Sequence, residues 1–456
     1  MRPHSPLPSR FEMRIRIEKL AIAAVAALFA AQIFLLLQNA GFEPSDDQNT
    51  YLNYAKYAMD SGEWYPSEIN AKDSFLFAPG YVNMLLLHRR IFGTFGGFGW
   101  VNLLMSAGIL ASVFFVAKKF FGRTAAACSA LLYAAAYSNW FLPVGYFSEL
   151  PFAFSMSAAM ALAVLPKSKW ANFALAGVIL ALGNWIRPLA AAYFMGIALY
   201  AALERKHAFA RIAALCISAA ATAAAIGFAS KSSCGIFVFQ SSTSGLNLAG
   251  SANKFANGLV GFGFERDDFY KEKIPAGFGD LNFAQKDALL RNIAAEWIAE
   301  NPVKYLSQLP LKAAVLFGFD TWSERFKRGG GLSSIREKIL SDKAFAVKYC
   351  AGLFIKSLPY YAALALFALY LCKNLKAPPS ARNALAAAPV LAAALTLPFM
   401  VTDRYHYPMM PVVWIYAGAA LAGLLRSGEN RAPEILPAKP LGGRNGSASE
   451  APSKIS

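Results

Sequence analysis

The chain has 456 residues, 56% of them hydrophobic and only 16% charged, and its 44 Lys and Arg against 27 Asp and Glu leave a formal net charge of +17. A soluble domain carries about 25% charged residues, so this balance excludes an ordinary soluble protein; the apolar and aromatic content excludes a disordered chain. What remains is a polytopic membrane protein, provided the apolar residues come in runs of about 20, the length a helix needs to cross a bilayer.

Such runs occur, in chain order, at residues 19–38, 98–117, 125–143, 150–165, 171–186, 189–202, 212–229, 347–371, 385–401 and 408–425. They predict about ten transmembrane helices. The first run is too long for a signal-peptide core and lacks a small-residue cleavage site, so it reads as a signal-anchor helix. Basic clusters sit at alternate ends of the runs: Arg10, Arg14, Arg16 and Lys19; Lys118, Lys119 and Arg123; Lys167 and Lys169; Arg205, Lys206 and Arg211; Lys373, Lys376 and Arg382; Arg426 and Arg431. Basic loops stay in the cytoplasm. This places both termini inside, with residues 1–18 as a cytoplasmic segment, 19–426 as the transmembrane domain and 427–456 as a disordered tail. The same alternation, with no RNA- or DNA-binding motif beside it, argues against nucleic acid as the partner of the positive charge.

The outer segments are then 40–97, 144–149, 187–188, 230–346 and 402–407. No cytoplasmic segment is long enough for a catalytic domain, so any chemistry is expected at the outer face of a plasma membrane. Nucleotide-activated substrates are absent there, and a membrane lipid carrier is the obvious route for an activated group.

In the first outer loop, Ser45 and Gln48 match a capping box. A helix is expected over 46–59 with Leu52, Ala55 and Met59 on one face, stopped by Ser61-Gly62. Pro79 opens a second helix over 80–92, interrupted by His88, Arg89 and Arg90; both helices read as lying at the membrane surface. The three basic residues suit donor phosphate or lipid head groups. Asp46 and Asp47 have two readings. Acids in a first turn favour the helix dipole by about 0.3–1 kcal/mol; a carboxylate on the outer face can also act as a general base. Glu149, beside Leu150 and Pro151 at a span end, is costly at membrane depth and is therefore a functional candidate. Arg187 and Arg404 are outer-side arginines, whose planar donors suit a phosphate.

Cys128, Cys216 and Cys372 read as packing residues. Cys234 and Cys350 fall on the outer side, where a disulfide is possible. With no CxxC spacing and only four histidines, a His-built metal site is not expected. His406 has no partner at useful spacing. Neither a cofactor nor a metal is expected, the alternative being a divalent ion shared by two acids. Lys327-Arg328-Gly329-Gly330-Gly331 lacks the P-loop pattern and reads as a mobile turn.

The order of an acidic residue, an aromatic four places on, an Ala-containing helix and a Pro-Gly-Tyr helix ending in Phe-Gly resembles the first external loop of GT-C membrane glycosyltransferases. The nearest groups are the protein O-mannosyltransferases and the aminoarabinose–lipid A transferases. Ser148-Glu149-Leu150 resembles their second acidic position, and Asn184-Trp185-Ile186-Arg187-Pro188 their Arg-Pro corner. Residues 244–258 resemble their Asn- and Gly-rich loop, residues 294–312 the following helix with its closing Lys, and Asp403-Arg404-Tyr405-His406-Tyr407-Pro408 the Arg-Tyr element before the last span. The resemblance covers most of the chain. It departs at Gln48, where the family often has Glu.

The resemblance implies an all-α GT-C architecture with external juxtamembrane helices, 40–97 as the catalytic loop and 230–346 as a small external loop region. It implies a polyprenyl-phosphate sugar donor, a protein, lipid or glycan acceptor, and an inverting single displacement. Asp47 matches the catalytic acid–base residue, with Asp46 able to share the role and Glu149 in support. Arg404, Arg187 and Tyr405 would meet the donor phosphate. Tyr51, Pro79, Tyr81, Asn247 and Asn253 would meet substrate; Asn247, Gly250, Asn253, Asn257 and Gly258 equally fit a plain surface loop. The rival reading is a lipid or sugar transporter. It is less favoured because the acids gather on the outer face and the halves show no internal repeat.

Overall fold

The structure, a computed structural model, describes residues 10–38, 44, 47–64, 75–165, 169–257, 263–325 and 338–429. Ser45, Asp46, Lys167, Gly258, the 327–331 run and the tail from 430 onward lie outside the described residues. Within them the chain is all-helical, and the one ladder-type contact is an antiparallel bridge between Leu76 and Ser242.

Every predicted apolar run contains helix. The first half comprises α1 (Arg10–Leu37), α2 (Asp47–Ser61), α3 (Pro79–Phe92), α4 (Phe98–Phe121), α5 (Arg123–Ala135), α6 (Glu149–Ala163), α7 (Trp170–Ile186), α8 (Ala190–Glu204) and α9 (Ala208–Cys234). Then come α10 (Ser244–Ser251), α11 (Asp268–Lys273), α12 (Phe283–Glu300), α13 (Pro302–Ser307), α14 (Leu309–Leu316) and α15 (Trp322–Arg325). The chain closes with α16 (Lys343–Asn374), α17 (Ala381–Ala384), α18 (Ala387–Thr396) and α19 (Met410–Glu429).

Among the described residues, five helical stretches are long and apolar enough to cross a membrane: Glu12–Leu37, Phe98–Phe121, Ala208–Cys234, Lys343–Asn374 and Asp403–Arg426. Helices α6 and α8, at 15 residues each, reach only about 22 Å at 1.5 Å per residue, short of a hydrocarbon core of about 30 Å. The chain is therefore multi-pass; helix length among the described residues supports five of the ten expected spans, and the shorter apolar helices carry the rest of the expected runs.

The main core is aromatic as well as aliphatic. Tyr133 stands edge-on to Trp414 at 5.0 Å, and Phe121 to Tyr416 at 5.6 Å, joining α4, α5 and α19. A Cβ at Gly418 would lie 2.6 Å from the Ser129 nitrogen, so α19 meets α5 backbone to backbone at a glycine. A second, smaller core is built from α10, α11 and α12, with Leu246, Phe264, Tyr270, Leu290, Ile293 and Trp297 buried together. Helix α12 starts in a complete capping box, in which the Asn282 side chain accepts from the Gln285 nitrogen and Gln285 answers to the Asn282 nitrogen.

Two expectations change. The buried face of α2 is Gln48, Tyr51, Ala55 and Ala58, while Met59 is exposed. Ala55 is common to both, so the face is turned by roughly 50°, half the 100° step of one helical residue. The Gln48 side chain accepts from the Tyr146 nitrogen at 2.8 Å, and its expected capping partner Ser45 lies outside the described residues. All five cysteines are free thiols, and Cys234 donates to the Ser230 carbonyl, so Cys234 and Cys350 do not pair.

Candidate active site

Four segments far apart in sequence bring charge to one place, and each is held by local chemistry. Asp47 opens α2, whose buried face is fixed by Tyr51 standing edge-on to Tyr81 of α3 at 5.1 Å. Glu149 opens α6 after a pair of short 3-10 turns, Tyr137–Trp140 and Leu142–Val144. Arg187 follows α7 in an extended conformation, φ −148° and ψ 132°. Pro188 imposes this, because its ring disfavours helix at the residue before it. Arg404 sits in the 3-10 turn Asp403–Met409 that leads into α19.

Arg404 Nη2 is ion-paired with Asp47 Oδ2. Its Nε lies 3.3 Å from Glu149 Oε1, and the same oxygen is 2.9 Å from Arg187 Nη1. Arg187 Nη1 also donates to Ser148 Oγ at 2.9 Å, and that hydroxyl stands 3.4 Å from the Tyr51 hydroxyl. The Tyr405 ring lies against both guanidinium groups, at 4.9 Å from Arg187 and 5.7 Å from Arg404. Two arginines thus neutralise two carboxylates. The carboxylates differ in access: the Glu149 side chain is 1% exposed and that of Asp47 is 41% exposed. Glu149 is a buried counter-charge, and Asp47 is the one that can meet a ligand.

Partial burial pushes the Asp47 carboxyl up, but the charge and hydrogen bond of Arg404 and the charge of Arg187 outweigh it and hold the group below the ordinary carboxylate value. Burial first, then the Asp47 charge, raise the Tyr51 hydroxyl, which stays protonated.

Three members of the cluster, Asp47, Arg187 and Arg404, border a cavity of about 400 Å³. Asp47, Tyr51, Arg187, Arg404 and Tyr405 line it. Ile186, Leu189, Leu395, Phe399 and Met400 add apolar surface, while Gln240, Ser241, Thr243, Ser244 and Asn247 add hydroxyls and amides. Among the described residues no group of three or more His, Cys, Asp or Glu could hold a metal. Asp47 and Glu149 are both engaged by Arg404.

Other expected site residues fall elsewhere. Asp46 lies outside the described residues. Pro79 is the first residue of α3 and does not line the cavity, whereas its neighbour Ala78 does. Tyr81 is fully buried behind Tyr51 and supports it without reaching the cavity. Asn253 is buried, donates to the Ala249 and Gly250 carbonyls and accepts from the Phe255 nitrogen, so its amide is consumed in a local turn. Arg89 stacks on Phe95, and Arg90 stacks on Trp64 and donates to the Gly62 and Glu63 carbonyls; both serve local packing. His88 is buried against Phe92 and Phe98. His406 is buried, 3.4 Å from Asp320 Oδ1 and stacked on Tyr360, and so anchors the turn that carries Arg404. Sequence reasoning gave no separate role to Ser148 and passed over the hydroxyl-rich stretch 241–243. The available signals were a serine directly before Glu149 and a run of hydroxyl residues just ahead of Asn247.

No protein family and no curated protein sequence matches the chain. Solved structures are similar in chain path. The Archaeoglobus fulgidus oligosaccharyltransferase in complex with Zn and sulfate is 14% identical over 90% of this chain and 50% of that one, with a TM-score of 0.48. The archaeal oligosaccharyltransferase AglB from Archaeoglobus fulgidus, in complex with an inhibitory peptide and a dolichol-phosphate, is 13% identical over 94% of this chain and 52% of that one, with a TM-score of 0.45. ArnT from Cupriavidus metallidurans bound to undecaprenyl phosphate is 14% identical over 91% of this chain and 82% of that one, with a TM-score of 0.38. The chain spans about half the length of the archaeal oligosaccharyltransferase chains.

Proposed function

We propose that the chain is a GT-C type glycosyltransferase that moves a sugar from a polyprenyl-phosphate donor to an acceptor at the external face of the membrane. One observation carries this reading: Asp47, Glu149, Arg187 and Arg404, drawn from four segments, meet in one ion cluster, and all but Glu149 line a cavity that combines apolar surface with amides and hydroxyls.

In the reaction the Asp47 carboxylate takes the proton of an acceptor hydroxyl or amine. The acceptor atom attacks the anomeric carbon as the bond from that carbon to the phosphate oxygen breaks. The electron pair leaves with the lipid phosphate, and one displacement inverts the anomeric centre. Arg404 and Arg187 meet the negative charge that grows on the leaving phosphate. The resting ion pair suits this sequence. A donor phosphate competes with Asp47 for Arg404, and as Arg404 turns to the phosphate, Asp47 loses the partner that depresses its basicity. Donor binding thereby readies the base. Glu149, buried and shared by both arginines, keeps them in register throughout.

The test is transfer by purified protein from a panel of polyprenyl-phosphate sugars to an envelope-lipid acceptor fraction. Asp47→Asn should lower turnover by about 10²–10⁴-fold, the range for loss of a general base, while donor still binds. Arg404→Ala should weaken both donor binding and turnover. Full turnover by Asp47→Asn would remove the base from this mechanism. Protein that moves labelled lipid across liposomes and transfers no sugar from any donor would establish the transporter instead.

A further inference from the structure

Two threonines occupy positions from which a side chain ordinarily caps a helix, and neither does so. Thr243 stands ahead of α10, and Thr402 ahead of the 3-10 turn that carries Arg404. An N-cap threonine usually accepts from a backbone N–H of the first turn; here neither side chain makes a cap hydrogen bond. The Thr402 hydroxyl is buried and has no partner, and Thr243 is 7% exposed. Both residues line the cavity that holds Asp47 and Arg404. Other hydroxyls of the same wall are spent inside the protein: Thr396 donates to the Ala392 carbonyl at 2.8 Å, and Ser244 to Asp287 at 3.0 Å. Two amides share the wall with the threonines. Gln240 Oε1 accepts from the Asn184 side chain at 3.3 Å, which leaves the Gln240 amide nitrogen as a donor. Asn247 has both backbone groups committed, its N–H to the Thr243 carbonyl and its carbonyl to the Met400 N–H, so its side-chain amide is what it offers the cavity. The bond to Met400 also ties α10 to the segment that carries Thr402.

Hydroxyls and amides both donate and accept, which suits the rim of a sugar ring, whose hydroxyls do the same. Charge meets a different wall. Among the described lining residues, Asp47, Arg187 and Arg404 are the only charged ones. In the transfer reaction these three are occupied at the anomeric carbon and the phosphate, so none is left for a charge on the far rim of the ring. Asp287, behind Ser244, already accepts from Ser244 Oγ, from the Gly245 nitrogen at 2.6 Å and from Arg291 at 2.5 Å. An ammonium or carboxylate on the sugar would be buried without a counter-ion, which is costly. We propose that Gln240, Thr243, Asn247 and Thr402 form the sugar subsite of this cavity, and that it selects an uncharged pyranose over amino and uronic forms. That the ring bound there is the donor's rests on the transfer reaction proposed above; the selectivity is read from the cavity wall.

The experiment measures binding to the full chain in detergent by calorimetry, without acceptor. The probes are farnesyl phosphate alone and its esters with glucose, mannose, galactose and N-acetylglucosamine. Each ester is also made with an amine in place of the hydroxyl opposite the anomeric carbon, and as the uronic acid. At least one uncharged ester should bind about 10-fold or more tightly than farnesyl phosphate and than both of its own charged forms, because only the charged forms bury an unpaired ion. Thr402→Val and Thr243→Val should each weaken that ester by about 3–10-fold, the effect of one lost hydrogen bond, and leave farnesyl phosphate unchanged. Thr402→Ser should keep the affinity. The two valine variants lie on separate segments, so one still decides the matter if the other does not fold. Donors ranked in this order with no transfer from any of them would refute the transfer reaction and support the subsite. Transfer from charged donors as readily as from uncharged ones would refute the subsite and leave the reaction standing. Equal binding of charged and uncharged esters, no gain over farnesyl phosphate, equal weakening of farnesyl phosphate in the valine variants, undiminished binding by the folded valine variants, or no binding by folded wild-type protein would each overturn the proposal.

Discussion

At the scale of single residues, Arg404 decides the electrostatics because it touches both carboxylates while Arg187 touches only Glu149. Removing one member of a buried ion cluster strands the others, at a cost of about 3–5 kcal/mol. Glu149→Gln keeps the shape and leaves two arginines with one carboxylate. We expect a clear fall in thermal unfolding temperature in detergent, larger than that of Asp47→Asn, whose side chain is far more exposed. Equal shifts in the two variants would contradict the division between buried counter-charge and accessible carboxylate. Lys312 supplies a second test. Its ammonium donates to Ser251 Oγ and to the Pro398 carbonyl, and it lies 4.8 Å from the Tyr305 ring. Burial pulls its pKa down from 10.5 to about 8. Between those values the unfolded chain binds more protons than the folded one, so this residue makes stability rise with pH over that window. Lys312→Met should remove the rise between about pH 8 and about pH 10, read as the difference between wild-type and variant unfolding temperatures. A difference that stays constant across that range would rule the titration out.

At the scale of elements, the site depends on how closely α3 packs against the end of α7. A Cβ at Gly80 would fall 2.8 Å from the Ile186 nitrogen and 2.7 Å from the Trp185 ring, immediately before Arg187. Gly80→Ala must push the two helices apart. Overpacking of this kind costs about 1–3 kcal/mol. The expected result is a lower unfolding temperature together with weaker donor binding, since Arg187 moves with the α7 terminus. Destabilisation with unchanged donor binding would mean that Arg187 is positioned by Glu149 and Ser148 alone. The α2 register belongs to this scale too. Periodicity alone favoured Leu52 and Met59 as its buried side. The observed face follows Tyr51 and Gln48 instead, because the Tyr51 hydroxyl reaches Ser148 and the Gln48 amide reaches the Tyr146 nitrogen. A sequence window cannot contain partners that lie almost a hundred residues away.

At the scale of the whole molecule, the prediction concerns sidedness. From the alternating basic clusters we expect Gly122, Lys206 and Asn374 in the cytoplasm and Gly277 and Asp403 outside. Topology reporters fused after each should read accordingly, and an internal signal at Gly277 or Asp403 would put the charged cavity on the wrong side for a lipid-phosphate donor. Much of this molecule is determined along the chain itself. Long apolar runs demand helices, because hydrocarbon leaves a backbone no other partners. Pro188 forces the extended corner at Arg187, and the aspartate at the start of α2 and the arginine ahead of α19 stand out as polar residues beside apolar runs. Tertiary structure alone decided the rest. It made Glu149 the buried counter-charge and Asp47 the accessible carboxylate, joined them through Arg404, kept the cysteines apart, and drew Asn253 and Tyr81 away from the cavity. The physical reason is range. Helix formation is settled by neighbours within a few turns, whereas burial, charge pairing and access depend on which distant segments pack together.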